Sequence, residues 1–221
     1  MNNLYIFDFD DTLVHTTSKI YVHRGNETFG FNTKEYRDFK IQKGDMLDFH
    51  EFDDVKDGTP IASTMAALEF AISTEGVENV HIVTARAYAE PVRRFLQAKM
   101  PAVPEVHATA GAENKAAWLV NKLSHDDYNK VIVYEDSREN LDMFKAIIDV
   151  YNVQHNTSID FEEHHIHEAA ANRKNLMLDR PTMHGGWPNG EYKKPVKDQI
   201  MDWFESMGFA ETDFEDKVYG D

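Results

Sequence analysis

The chain has 221 residues, 42% of them hydrophobic and 28% charged, with 14 Phe and 9 Tyr, which suits one sizeable buried core plus a modest insertion and excludes a disordered chain. Its 23 Lys and Arg against 39 Asp and Glu leave a formal charge of -16, so a standing nonspecific grip on nucleic acid is not expected, although a divalent cation and a few local positive groups set the field inside any one site. The absence of cysteine excludes a disulfide framework, thiolate zinc and a cysteine nucleophile.

From the N-terminus, residues 4–9 are apolar and aromatic up to a group of carboxylates and read as a buried strand. No basic leader, long apolar leader or bilayer-length apolar run precedes or follows, so a cytoplasmic protein with no membrane association is expected. Residues 14–57 break the pattern: they are aromatic, polar and rich in turn residues, and read as a small cap-like insertion. Within them, residues 19–23 and 28–31 flank Arg24-Gly25-Asn26-Glu27, which predicts a hairpin, and Thr33 ahead of Lys34-Glu35-Tyr36 starts a short helix. Helices follow at 60–73 with Thr59 as N-cap, 90–100, 112–123 and 137–148, the last with Leu141, Phe144, Ile147 and Ile148 on one side. Between them, residues 80–83 and 131–134 are strand-like, and the neighbourhood of Val106 adds another strand.

Strands alternating with helices predict an α/β class with a doubly wound, Rossmann-like and mainly parallel sheet, whose ligands bind beyond the carboxyl ends of the strands. The core then comprises residues 1–13 and 58–221, including a C-terminal extension, with 14–57 inserted after the first strand. In the extension, residues 155–167 suit a strand or a helix, 180–194 form a Pro- and Gly-rich loop, and 196–207 form an amphipathic helix.

The strongest local feature is Ile6-Phe7-Asp8-Phe9-Asp10-Asp11-Thr12-Leu13, a buried strand running into three carboxylates. Like charges crowded at the end of a buried strand are costly unless a cation neutralises them. Asp8 and Asp10 fall two residues apart, on one face of an extended chain, so one can act as nucleophile and metal ligand while the other exchanges protons. The alternative is an exposed acidic turn. Asp11 reads as a hydrogen-bonding loop residue.

Asp8-Phe9-Asp10-Asp11-Thr12-Leu13 resembles the first motif of the haloacid dehalogenase (HAD) superfamily, an apolar strand followed by Asp-x-Asp-x-Thr-Leu. Three further motifs of that family have counterparts in order: Val80-His81-Ile82-Val83-Thr84, the helix-opening Lys115, and Val131-Ile132-Val133-Tyr134-Glu135-Asp136. The resemblance implies that Thr84 hydrogen-bonds a phosphoryl group, that Lys115 screens the nucleophile from it, and that Glu135 and Asp136 complete a magnesium site with Asp8 and the Asp10 carbonyl. Each role has a physical counterpart. Mg²⁺ takes a few carboxylates, carbonyls and water, and cationic or hydroxyl donors suit the equatorial oxygens of a transferring phosphoryl group. Read singly, Thr84 is also a strand former, Lys115 a solvated helix lysine, and Glu135 with Asp136 an acidic pair at a helix start.

Two details resemble a narrower branch, grouped with RNA-repair-like proteins and polynucleotide 3′-phosphatases: Thr84-Ala85-Arg86, and Tyr134-Glu135-Asp136-Ser137-Arg138-Glu139-Asn140. The opening Thr12-Leu13-Val14-His15-Thr16-Thr17-Ser18-Lys19-Ile20-Tyr21-Val22 also resembles short phage-encoded members. Glu135 stands where that branch has Asp, and Ser137 where it has Arg; the alternative Asp-x-x-x-Asp pattern puts Asn140 at its last acid. Both alignments make Asp136 a metal ligand and disagree on Glu135 and Asn140. Arg86 forks onto a phosphate or substrate carboxylate, or else forms a salt bridge at a helix start.

The resemblance implies a magnesium-dependent phosphohydrolase that cleaves phosphate monoesters through an aspartyl phosphate on Asp8, with Asp10, Thr84 and Lys115 catalytic and Thr84, Arg86 and Lys115 binding substrate. Asp10 favours phosphatase over dehalogenase chemistry within the family. The implied substrate is a small phosphorylated molecule, a nucleotide or a nucleic-acid 3′-phosphate end. In the insertion, Tyr21, Phe29, Phe31, Tyr36 and Phe39 either stack on a base or form a small core, and Lys19, His23 and Arg24 can attract an anion. The competing reading is a HAD-fold scaffolding module that holds metal without turnover. His155, His164, His165, His167 and His184 read as a solvated face in preference to a transition-metal site.

Overall fold

The computed structural model describes residues 2–166. β1 (Asn2–Phe7) leads into an excursion made of β2 (Val14–His15), β3 (Ile20–Arg24), β4 (Glu27–Phe31), α1 (Thr33–Asp38), β5 (Met46–Asp48) and the return strand β6 (Thr59–Pro60). The chain then alternates through α2 (Ala62–Glu75), β7 (Val80–Thr84), α3 (Ala89–Gln97), β8 (Glu105–Ala108), α4 (Asn114–His125), β9 (Tyr128–Glu135), α5 (Arg138–His155) and β10 (Asp160–His165). Five strands form one sheet in the order β10-β9-β1-β7-β8, and every neighbouring pair is parallel.

That order follows from burial on both faces. Along β1, Leu4 and Ile6 face α4 and α5 together with Val131 and Val133 of β9. Phe7, with Val80 and Ile82 of β7, faces α2 and α3. Each such side chain taken from water contributes about 1.5–3 kcal/mol, so a strand apolar on both sides is stable only in the middle of a sandwich of helices. Strands added after β1 go first to one side, as β7 and β8, and then to the other, as β9 and β10. The winding therefore reverses between β1 and β9, which opens a crevice at their carboxyl ends.

The expected elements are present with shifted ends. Thr59 does not cap α2: it lies in β6, paired with His15, and the helix starts at Ala62 after Ile61, which offers no side-chain cap. Val14 and Thr59 belong to the stem strands that close the excursion on itself, helped by the Ile61 N–H donating to the Leu13 carbonyl at 2.8 Å. Residues 160–165 form a strand, β10, which settles the ambiguity of that segment; the loop at 180–194, the helix at 196–207, His167 and His184 lie outside the described residues.

The hairpin forms with Gly25 at its first central position and φ 59°, where a primed turn needs a residue without a Cβ. Asn32 caps α1 through a capping box with Glu35. Phe29, Phe31 and Phe39 pack on one another with ring centroids 4.3–6.4 Å apart, Tyr36 meets Phe49, and Tyr21 stacks on His50. The aromatic residues of the excursion thus pack on one another while staying half-buried, with Phe49 exposed. Arg24 lies over Phe29 and Phe39 and grips both carboxylate oxygens of Asp45, at 2.8 and 2.7 Å.

Two carboxylates hold this small sheet. The Arg24 guanidinium lowers Asp45 to about 2, and Lys56, the Lys19 backbone N–H and the Tyr21 hydroxyl lower Glu51 to about 2. Depressed folded values contribute stability above the unfolded values of roughly 4, and this is lost as pH falls towards about 2. Acidification through that window should therefore collapse the NMR amide dispersion of residues 20–51 while β1, β7 and β9 keep theirs. Simultaneous loss of both sets would show that these ion pairs do not govern the excursion.

Candidate active site

The apolar stripe that β1 and β9 present to α4 ends abruptly in acids. Leu4 and Ile6 are followed two residues on by Asp8, and Val131 and Val133 by Glu135, so strand alternation puts both carboxyl groups on the α4 side of the crevice. The Asp8 N–H still bonds the Tyr134 carbonyl at 3.0 Å, which keeps the two strand ends together past the last formal strand residue. Lys115, in the first turn of α4, reaches into the gap and donates to Asp8 Oδ1 at 2.7 Å and to Glu135 Oε2 at 2.8 Å. Only 1% of Lys115 is exposed, which excludes the reading of a solvated helix lysine.

Two buried carboxylates thus share one ammonium. Burial and the neighbouring Glu135 charge raise the Asp8 carboxyl above its ordinary range, against the pull of Lys115; burial likewise raises Glu135. On Lys115, burial disfavours the charged form, but Asp8 and Glu135 outweigh it and the ammonium is held protonated. Asp136 adds a third acid, and ligand atoms of Asp8, Glu135 and Asp136 lie within 4.8 Å of one another. Three carboxylates against one buried lysine is a donor set that suits a hard divalent cation. Glu135 is fixed by a second bond, from the Ser137 N–H to Oε1 at 3.1 Å, while the Ser137 side chain accepts from the Asn140 N–H and caps α5.

Asp10 sits apart from this trio. Arg86 holds it with two parallel bonds, Nε to Oδ2 and Nη2 to Oδ1, both 2.8 Å, and the Thr16 hydroxyl adds a third at 3.2 Å. The remaining Arg86 nitrogen, Nη1, donates to the carbonyls of Phe52 and Asp54 at 2.9 and 2.7 Å. The guanidinium fork is therefore spent on Asp10 and the excursion and not open towards a substrate, the salt-bridge alternative of the two expected. Thr84 is buried at the end of β7, and its hydroxyl oxygen accepts the Arg86 N–H at 3.2 Å, so its own proton remains available to donate.

Asp11 has φ 58°, an uncommon conformation for a residue with a Cβ, and its carboxylate bonds His15 and Thr33 at 2.9 and 3.2 Å. It is a loop-fixing residue, as read from the sequence. The tail histidines among the described residues disperse: His164 stacks on Tyr134, His165 bonds the Asp136 carbonyl, and His155 stacks on Tyr151. Contributions from Thr16, from the Ser137 N–H and from the Phe52 and Asp54 carbonyls carry no sequence signal, because they depend on backbone groups or on a common hydroxyl.

No model of a known protein family, no characterised protein and no solved structure matches this chain. Its described part is a mixed α/β protein with a parallel five-stranded sheet flanked by helices, compatible with a Rossmann-like fold, and its most charged buried cluster lies at the switch point of that sheet. No helix among the described residues is long and apolar enough to cross a membrane.

The surplus negative charge predicts a stability effect. Asp8→Asn keeps an oxygen that accepts from Lys115 but removes one carboxylate from the buried pair, leaving Lys115 and Glu135 balanced. In chelator, its melting temperature should exceed that of the wild type, by roughly 2–4 °C for each kcal/mol of repulsion relieved. A lower melting temperature would show that Asp8 is a net structural partner of Lys115.

Proposed function

We propose that this chain is a magnesium-dependent phosphohydrolase of the HAD superfamily, cleaving phosphate monoesters through a phosphoaspartate on Asp8. The observation that carries the reading is the buried Asp8–Lys115–Glu135 cluster beside Asp136, at the point where the winding of the parallel sheet reverses. Asp8, Glu135 and Asp136 are the groups that would hold Mg²⁺, together with the Asp10 carbonyl inferred from the resemblance; the ion when bound supplies positive charge against the phosphate oxygens.

In this reading the Asp8 carboxylate attacks phosphorus, forming its O–P bond as the bond to the ester oxygen breaks. Asp10 gives its proton to the departing oxygen and later takes one from the water that hydrolyses the phosphoaspartate. Arg86 positions Asp10 for both transfers, since a bidentate grip leaves the carboxyl little freedom. Lys115 spends two of its three N–H donors on Asp8 and Glu135, which leaves one for a phosphoryl oxygen, and the Thr84 hydroxyl supplies another donor.

The excursion at 14–57 serves as the cap. It is tied to the core beside the site by Arg86, by Thr33 on Asp11 and by Arg94 on Asp54 at 3.0 Å. Its aromatic residues pack on one another while staying half-buried, and Arg24 is engaged by Asp45. A nucleotide or a nucleic-acid 3′-phosphate end remains the favoured substrate, from the Thr84-Ala85-Arg86 and Glu135-Asp136 resemblance. The charge of -16 favours a short end over a long bound polyanion.

Phosphate release with Mg²⁺ tests the reading, across an aryl phosphate, nucleotides, sugar phosphates and 3′-phosphorylated oligonucleotides. Turnover should vanish in Asp8→Asn and in chelator, and Asp136→Ala should raise the Mg²⁺ requirement. Silence across the panel with Mg²⁺ binding intact would instead support a module that holds metal without turnover.

Arg86→Lys keeps the charge but loses the fork. It should lower kcat by about 10²-fold or more for an alkyl phosphate, whose leaving oxygen needs the Asp10 proton, and much less for an activated aryl phosphate. Equal loss on both would place Arg86 outside the positioning of Asp10.

A further inference from the structure

A second group of potential ligands lies away from the carboxylate crevice, towards the β8 edge of the sheet. In the register of β7 and β8, His81 pairs with Glu105 and Val83 with His107, so His81, Glu105 and His107 share one face of two neighbouring strands. That face is the one covered by α4, whose Trp118 meets both imidazoles, with ring centroids 5.5 Å from His81 and 5.0 Å from His107. His81 Nδ1 is 3.1 Å from His107 Nε2, and Glu105 Oε2 is 3.6 Å from the same His107 nitrogen.

We propose that His81, His107 and Glu105 form a transition-metal site, selective for Zn²⁺ over Mg²⁺, that is separate from the carboxylate crevice. Two imidazole nitrogens at 2.0–2.1 Å from one tetrahedral zinc ion stand roughly 3.3 Å apart, close to the separation already present, and the carboxylate oxygen lies at a similar distance. The ligand atoms of all three residues fall within 4.8 Å of one another. Two imidazoles and one carboxylate favour Zn²⁺ by ligand type, since Mg²⁺ prefers oxygen throughout, and three protein ligands leave a fourth position for water.

The polarity of this pair needs an explanation that packing does not provide. His81 is buried under Trp118 at a position where an apolar strand residue fits, and its Nε2 has no hydrogen-bond partner. Nδ1 is the nitrogen that faces His107, so Nε2 lies on the other edge of the ring, and its unfilled capacity is a cost that the packing under Trp118 leaves standing. Burial lowers His81 to about 4 and lowers His107 as well, so both rings are neutral and carry lone pairs at neutral pH. A metal ion replaces the proton shared between them: the donating ring shifts that proton to its other nitrogen, and no net protonation change is required. Lys122, tied to Asp126 at 2.9 Å, is the cation near the pair and opposes a bound metal, while Glu105 offsets its charge.

The experiment uses the full chain stripped with chelator and titrated with Zn²⁺ by calorimetry and with Co²⁺ by visible absorption. The wild type should bind one equivalent at this site, with the ligand-field bands of tetrahedral Co²⁺, and Asp8→Asn should keep that signal because its carboxylate belongs to the other cluster. His107→Phe should weaken Zn²⁺ binding by at least ~100-fold, since even outer-shell changes cost metal sites 10- to 100-fold. Glu105→Gln, at an exposed position that does not threaten folding, should weaken it by at least ~10-fold. Absence of the Co²⁺ bands in the wild type overturns the proposal. So does undiminished Zn²⁺ affinity in Glu105→Gln together with a folded His107→Phe, which would assign the metal to other histidines of the chain; if His107→Phe does not fold, Glu105→Gln alone decides.

Discussion

The sharing of one buried ammonium by two buried carboxylates is the constraint around which the rest of this molecule is arranged. An isolated charge at the depth of Asp8 or Glu135 would cost several kcal/mol, and the Lys115 contacts at 2.7 and 2.8 Å are what make the cluster tolerable. They are possible only because α4 starts where it does, with Lys115 in its first turn, and because β1 and β9 are neighbours. Leu119 and Leu123 on the same helix bury themselves against the sheet and so hold the lysine in place.

The second consequence of this layout is that α4 touches two separate polar groups. Lys115 serves the crevice between β1 and β9, and Trp118, one turn on, packs on His81 and His107 of β7 and β8. A helix laid across a parallel sheet spans several strands, so residues a turn apart answer to different ones. The two groups differ in chemistry: all-oxygen donors with surplus negative charge on one side, and neutral imidazoles with a single acid on the other.

Asp10 and Arg86 join the excursion to the core. The guanidinium donates two bonds to Asp10 and one to each of two carbonyls, in the 3₁₀ turn at His50–Asp53 and at its exit, so the placement of the acid depends on the chain segment that returns from the small sheet. Rearrangement of that segment would alter the hold on Asp10 without touching Asp8. Arg86 therefore links the core to the excursion alongside the Thr33–Asp11 and Arg94–Asp54 bonds.

Much of the fold was legible in local pattern, because the apolar runs at 4–9, 80–83 and 131–134 and the helical spacing of Leu141, Phe144, Ile147 and Ile148 each carry their own periodicity. The acids at the end of the first and fourth of the main strands were legible for the same reason, since a buried run stopping at a carboxylate is a local event. Helix ends were less so: Thr59 is a plausible cap in isolation, but pairing with His15 across the stem claims it for a strand. Segment 155–167 had no decisive period, and residues 160–165 within it form a strand because the free edge of β9 pairs with them.

What the sequence determined by itself was the set of chemical groups and their position at strand ends, because alternation along a strand places Asp8 and Glu135 on the same side as the residues two before them. What only the tertiary structure decided was which groups meet. The partner of Arg86 is Asp10, 76 residues earlier, and Lys115 reaches Asp8 across 107 residues. The pairing of His81 with His107 needed the register of two strands 26 residues apart. Such contacts have no local signature, since they are fixed by sheet order and register, which are set by the packing of the whole chain.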